Sequence, residues 1–207
     1  MTTATAFWDK IAPKYAAKPI DDMAAYEQTL SRTRSFLHHD DHLLELGCGT
    51  GGTALKLAPS VAKVTATDIS GAMIAIAEGK LDAQTARKVT FLQAPALQPL
   101  ADAPFDAVVA FNLLHLLDDL PAAITHLHQL VKPGGYVITK SGCLAEMNML
   151  LPYVIKVMQF LGKAPSVNSF TTATLEATFR DAGFELIETG HFGKAKTSRF
   201  IVARRKQ

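Results

Sequence analysis

The chain predicts an α/β fold: a three-layer sandwich around a mostly parallel seven-stranded sheet, with one strand antiparallel. Three observations carry this. From residue 43 onward, short apolar runs alternate with amphipathic helical stretches, which implies a parallel sheet covered by helices on both faces. The first run, Leu43-Leu44-Glu45-Leu46, breaks into the glycine-rich turn Gly47-Cys48-Gly49-Thr50-Gly51-Gly52 and then into a helix. The last two runs have no helix between them, so a hairpin-like return should set one strand antiparallel.

The elements follow in order. Residues 7–37 read as helical, with a break near Pro13 and Pro19; within them, 26–37 is amphipathic, with Leu30, Thr33 and Leu37 along one face. Strands are expected at 43–46, 64–68, 89–93, 105–111, 136–139, 184–189 and 200–203. Helices are expected at 52–58, at 70–80 with Ser70 as cap, at 121–130 with Pro121 at its start, and at 172–182, ending at Gly183. Pro133-Gly134-Gly135 reads as a turn. Residues 144–161 read as mostly helical, bent or broken at Pro152. This is one domain over residues 1–207: an N-terminal helical cover at 1–40, then a core at 41–207 with an apolar helical insert at about 144–170.

Composition bounds the function. Apolar residues make up 48% and charged residues 19% of the 207, so the chain folds around a core of its own. A net charge of +2 is too small to imply nucleic acid. The basic excess is local: Lys194, Lys196, Arg199, Arg204, Arg205 and Lys206 follow the last acid, Glu188, and read as charge protecting an edge strand. Two cysteines, Cys48 and Cys143, make no disulfide framework, and a reducing cytoplasm is expected. No signal peptide is expected from the first eight residues. The cluster His38-His39-Asp40-Asp41-His42 lacks spaced ligands on a rigid element, so no metal is expected.

A strand, a glycine turn and a helix together make a nucleotide cradle. Glycines admit close backbone approach and positive φ, and the helix start offers free N–H groups. Gly47, Gly49 and Gly52 fit the dinucleotide spacing G-x-G-x-x-G, and Asp68 lies 21 residues after Gly47, where a ribose-binding acid belongs. The loop alone therefore leaves NAD open.

The rest of the chain separates the two. Glu45-Leu46-Gly47-Cys48-Gly49-Thr50-Gly51, Thr67-Asp68-Ile69-Ser70, residues 105–115 ending in Asn112-Leu113-Leu114-His115, and residues 130–138 with Lys132-Pro133-Gly134-Gly135 resemble the class I S-adenosylmethionine-dependent methyltransferases, over nearly the whole chain. The resemblance implies a Rossmann-like sheet and S-adenosylmethionine as methyl donor, with S-adenosylhomocysteine as product. It also implies site residues. Gly47, Cys48, Gly49 and Gly51 would pack on the methionine part and ribose, and Glu45 would meet the methionine amino group. Asp68 would accept both ribose hydroxyls, and Ile69 and Met73 would flank the adenine. Phe111, at the end of the fourth strand, would complete the cofactor wall. In one departure, the stretch after the third strand, Gln93-Ala94-Pro95-Ala96-Leu97-Gln98, has no acid for the adenine amine. Backbone groups at Ala94 and Ala96, or the Gln98 amide, would substitute.

Methyl transfer from a sulfonium is an in-line displacement, so the protein mainly aligns the reactants and excludes water. A base is needed only for an acceptor that carries a proton. His115, just beyond the fourth strand, could take it; Tyr15, in the N-terminal cover, could close the site. The opening Phe7-Trp8-Asp9-Lys10-Ile11-Ala12-Pro13-Lys14-Tyr15 resembles the ubiquinone/menaquinone-biosynthesis type of small-molecule methyltransferase. A small apolar or phenolic acceptor is expected, with 144–161 as a pliable methionine-rich wall. Lipid amine methylation with peripheral membrane contact, and a sensor that binds the donor without catalysis, are the alternatives; no nucleic-acid partner is expected.

Overall fold

A computed structural model describes residues 3–146, 165–193 and 198–207. The apolar insert beyond residue 146 and the lysines at 194 and 196 lie outside the described residues.

Two helices precede the sheet, α1 (Thr3–Ala17) and α2 (Met23–Arg34). The break falls at Pro19, as expected, but α1 runs through Pro13. A proline in a helix interior forfeits one N–H and leaves the carbonyl of Asp9 without its usual donor; the Asp9 side chain, mid-helix, is itself tied to another segment, as described below. Asp22 caps α2 by accepting from the Ala25 amide at 2.9 Å.

Then come β1 (His42–Leu46), α3 (Gly52–Leu57), β2 (Lys63–Asp68), α4 (Gly71–Glu78), β3 (Val89–Gln93), β4 (Phe105–Phe111), α5 (Leu120–Leu130), β5 (Val131–Gly142), α6 (Thr172–Asp181), β6 (Phe184–Gly190) and β7 (Ser198–Arg205). The seven strands form one sheet in the order β3-β2-β1-β4-β5-β7-β6, with β7 antiparallel to both neighbours and every other pair parallel. The anticipated turn at Pro133-Gly134-Gly135 is an irregularity within β5, whose register against β4 shifts between Phe105 and Ala107.

The C-terminal strand is not an edge. β7 is inserted between β5 and β6, so its basic residues do not guard an open ladder. They are paired: Arg199 with Glu176 at 2.6 Å, Arg204 with Glu185 at 2.6 Å, and Arg205 donating to the carbonyls of His128 and Val131.

Side chains alternate across the sheet. Leu44, Val108, Val137 and Ile201 pack toward α5 and α6, where Phe179 and Phe184 meet edge-on at 5.5 Å. Leu43, Val109, Ile138 and Val202 pack on the other side, with Leu30, Leu57 and Ile74 of α2, α3 and α4. The sheet order reverses between β1 and β4, which opens a crevice at the carboxyl ends of those strands.

Candidate active site

That crevice is built on the glycine turn. Gly47 and Gly51 take positive φ, +67° and +76°. At Gly51 a Cβ would lie 2.6 Å from the Phe91 ring and at Gly47 2.9 Å from Leu113, so only glycine brings the chain so close to its neighbours there. The Cys48 amide donates to the Thr67 carbonyl at 2.9 Å, and the Gly51 amide to the Cys48 carbonyl at 3.0 Å. Cys48 is buried, and its thiol is held well above the usual range by burial and by the charges of Glu45 and Asp68. It serves as a small filler and not as a nucleophile.

Asp68 ends β2 beside the turn. Its Oδ2 accepts from the Gly49 amide and its Oδ1 from the Ser70 amide, both at 2.9 Å. Burial raises its pKa, against these two amides. A carboxylate has further lone pairs for two hydroxyls. Glu45 is only 3% exposed, and its Oε2 has no partner. Burial pushes the carboxyl up to about 8, the Ala54 amide opposing and the Asp68 charge adding. An orphaned buried carboxylate oxygen is costly unless a ligand or a water meets it. A cationic amine there, with hydroxyls against Asp68, answers both groups, so the residues fit S-adenosylmethionine.

The adenine side is less like its expectation. Ile69 is half-buried, whereas Met73 is 2% exposed, so Met73 is chiefly core. The Ala94 amide is already taken by the Asp68 carbonyl at 2.9 Å. That leaves the Ala94 carbonyl and the half-buried Ala96 for any adenine readout, with Gln98 exposed. Phe111 is half-buried at the end of β4 and packs on the α2 side.

The N-terminal helices approach the turn through Tyr15. A Cβ at Gly49 would lie 3.7 Å from the Tyr15 ring, so Tyr15 sits over the turn while remaining 50% exposed. Burial of its hydroxyl, with the Asp68 and Glu45 charges, raises its pKa. Trp8 meets Tyr15 edge-on at 6.4 Å. The Tyr26 hydroxyl lies 3.1 Å from Thr53 Oγ1 at the start of α3.

The sequence did not reveal the tie that holds this cover. Asp9 Oδ1 accepts from Ser70 Oγ at 2.6 Å and from the Ala72 amide at 3.1 Å. The Ser70 hydroxyl in turn accepts from the Met73 amide at 3.1 Å, so the cap of α4 and the anchor of α1 are one network. These bonds hold the Asp9 carboxyl below its usual range.

His115 follows β4 in a single 3-10 turn. Its carbonyl accepts from the Asn168 amide at 2.7 Å, and its Nδ1 is buried without a partner, about 4.0 Å from where a Cβ on Gly142 would stand. Burial lowers its pKa, so the ring is neutral near pH 7. Its neighbours Leu114 and Leu117 pack toward α5 and α6. Between those helices a cavity of about 420 Å³ is lined by Asp118, Asp119, Asn168, Phe170 and Thr174, among others; neither Glu45 nor Asp68 borders it. Asn112, also missed, sits at φ 55° just past β4 and donates its amide to the Lys140 carbonyl at 2.7 Å. Asparagine tolerates that conformation better than most residues. Among the described residues no group of side chains is gathered to hold a metal ion. In the histidine cluster, His42 Nε2 is instead 2.9 Å from Thr65 Oγ1.

Comparison with known proteins gives the family. Residues 44–137 match the family model of a methyltransferase domain. The chain is 32% identical to a demethylmenaquinone methyltransferase of Lactococcus lactis, over 79% of this chain and 74% of that protein. The chain belongs to the class I S-adenosylmethionine-dependent methyltransferases. This methyltransferase is also 30% identical to an O-methyltransferase of Aspergillus nomiae, over 70% of its own length and 65% of the relative's. Its fold matches magnesium protoporphyrin IX methyltransferase from Synechocystis, solved with bound S-adenosylhomocysteine, at a TM-score of 0.70 and 21% identity, over 99% and 95% of the two chains. NAD, which the glycine spacing had left open, gives way to S-adenosylmethionine as the cofactor. No helix among the described residues is long and apolar enough to cross a membrane.

Proposed function

We propose that this methyltransferase acts on a small, largely apolar phenol or quinol, delivering the methyl group in line. The observation that carries the reading is the surface of the cover. Tyr15, Ile20 and Met23, exposed by 50%, 44% and 51%, follow one another along the junction of α1 and α2, and Tyr15 sits over Gly49 of the glycine turn. Exposed apolar side chains grouped at the mouth of a site suit an apolar guest. The likeness to a demethylmenaquinone methyltransferase and to an O-methyltransferase supports the same chemistry.

S-adenosylmethionine supplies a methyl group already activated on a sulfonium. Glu45 binds the amino group of its methionine part, and Asp68 holds the ribose. Gly47, Cys48, Gly49 and Gly51 give the backbone floor, and Ile69, Ala94, Ala96 and Phe111 surround the remainder, with Met73 in the core of α4. Tyr15 closes over Gly49 and excludes water. His115, neutral and with a free Nδ1, borders the acceptor end from the α5 side and is available to a hydroxyl.

The test is a methyl-transfer screen over naphthoquinols, benzoquinols, simple phenols, amines and phosphatidylethanolamine vesicles. Methylated quinol or phenol, formed one for one with S-adenosylhomocysteine, is the expected result. Methylation of the vesicle amine alone would move the reading to lipid N-methylation. Tight donor binding with no turnover on any acceptor would favour a non-catalytic sensor.

A further inference from the structure

Strand pairing puts a further polar side chain, Lys140, on the same side of the sheet as Glu45. Glu45 of β1 is level with Val109 of β4, and Val109 with Ile138 of β5. Residues level across a sheet share a face, and so do residues two apart along a strand. Phe111 and Lys140, which are level with each other, therefore lie on the Glu45 side, one step nearer the carboxyl ends where the crevice opens. The donor site is at β1 and β2; Lys140 is two strands away, on the side left for the acceptor.

Lys140 is half-buried, as Lys88 is, but it alone of the described lysines lies at the carboxyl end of a central strand; its Nζ donates to Thr29 Oγ1 on α2 at 3.1 Å. Thr29 is 2% exposed and spends its own proton on the Ala25 carbonyl at 2.7 Å, so it can only accept from Lys140. Among the described residues no carboxylate pairs with Lys140, and residues 147–164 and 194–197 contain no acid. Burial lowers its pKa, with the Asp22 charge opposing. Other charged groups on neighbouring elements are already matched: Glu27 with Lys56, Arg32 with Glu188, Arg199 with Glu176. Glu45, Asp68, Cys48, Tyr26 and Tyr136 are the titratable groups left on its side of the sheet. Phe111 and Phe200 flank Lys140 on the two adjoining strands.

A desolvated, unpaired amine, held by one acceptor and flanked by rings, is placed to meet a hydroxyl on an aromatic guest. We propose that Lys140 is a catalytic residue that binds the acceptor hydroxyl and takes its proton as the methyl group is transferred. The O–H bond breaks and its proton goes to Nζ in its unprotonated form, the form whose share rises with pH. The electron pair released attacks the methyl carbon through oxygen; if it attacks through a conjugated ring carbon instead, the hydrogen on that carbon then leaves as a proton to water and the oxygen takes a proton back, restoring the ring. The carbon–sulfur bond breaks with its pair left on sulfur, and the ammonium later gives its proton to water. The inference rests on the phenol or quinol reading above.

The test compares the wild type with Lys140→Met and Lys140→Arg on a short-chain naphthoquinol kept reduced under argon. Both variants should lose roughly 100-fold or more in kcat, the scale of a missing general base. Both should lose the rise of kcat with pH that deprotonation of Nζ gives the wild type, while S-adenosylhomocysteine binds as before. Arginine cannot act as a base, so Lys140→Arg retaining activity within about threefold would overturn the proposal, as would a pH profile unchanged in Lys140→Met. An independent readout is acetylation of the S-adenosylhomocysteine complex by acetic anhydride across pH, followed by peptide mass spectrometry. Lys140 should react at lower pH than surface lysines and be protected by the naphthoquinol; behaviour like that of Lys10 or Lys14 would overturn the assignment. A wild type that turns over while Lys140→Arg does too defeats only this inference. A wild type that binds the donor but methylates no quinol or phenol defeats the acceptor reading itself.

Discussion

Glu45 shows how a single side chain records an absent partner. Its carboxyl is pushed from an ordinary 4.5 to about 8 by burial. A carboxyl raised in this way contributes stability that is full below its unfolded value and lost as pH rises through the folded one, here from about 4.5 to about 8. Glu45→Gln removes that dependence. The ligand-free variant should melt above the wild type at pH 9 and close to it at pH 5. The difference should be of the order of a few kcal/mol, since each tenfold change in proton affinity is worth about 1.4 kcal/mol. The same substitution should weaken S-adenosylmethionine binding, because an amide does not match an ammonium as a carboxylate does. Parallel melting curves across that range would show Glu45 to be no strained acid. Glu45 and Asp68 stood out in the sequence because each lies at or next to the end of a strand, at a fixed distance from the glycines. Lys140 left a fainter signal, a lone cation in the apolar run Tyr136-Val137-Ile138-Thr139, and only the pairing with Phe111 gives it a side of the sheet.

At the scale of elements, the strands and helices were readable where they were local. β3 and β4 begin and end where the alternation placed them, and Ser70 caps α4 as read. Contacts between distant segments were not readable. Asp9 and Ser70 lie 61 residues apart, and nothing in either segment names the other. The place of β7 inside the sheet was hidden for a similar reason. A return without a helix requires an antiparallel strand but does not say on which side of β6 it lands, and the basic tail suggested an edge until its arginines were found in pairs. The α1 anchor has a consequence for function, since α1 carries Tyr15. Asp9→Ala should free the cover, costing about 1 kcal/mol of helix-cap stability. It should raise protease cleavage within residues 3–17 and weaken donor binding a few-fold. Cleavage unchanged in the variant would mean that α1 is held by its apolar contacts alone.

Taken whole, the molecule divides its labour across the two sides of one sheet. The α2–α4 side holds the glycine turn, Glu45, Asp68, Phe111 and Lys140, and the N-terminal helices close it. The α5–α6 side is largely packed core, with His115 at its upper rim. A dinucleotide fold of the same strand–turn–helix plan would use the turn for a pyrophosphate and has no need of a buried acid with an unmet oxygen beneath it. The most direct measurement is a calorimetric titration of the ligand-free protein with S-adenosylmethionine and, separately, NAD near pH 7, in buffers of different ionisation enthalpy. S-adenosylmethionine should bind far more tightly, with release of close to one proton as Glu45 ionises against the incoming ammonium. Tighter binding of NAD, or S-adenosylmethionine binding with no proton release, would contradict the account.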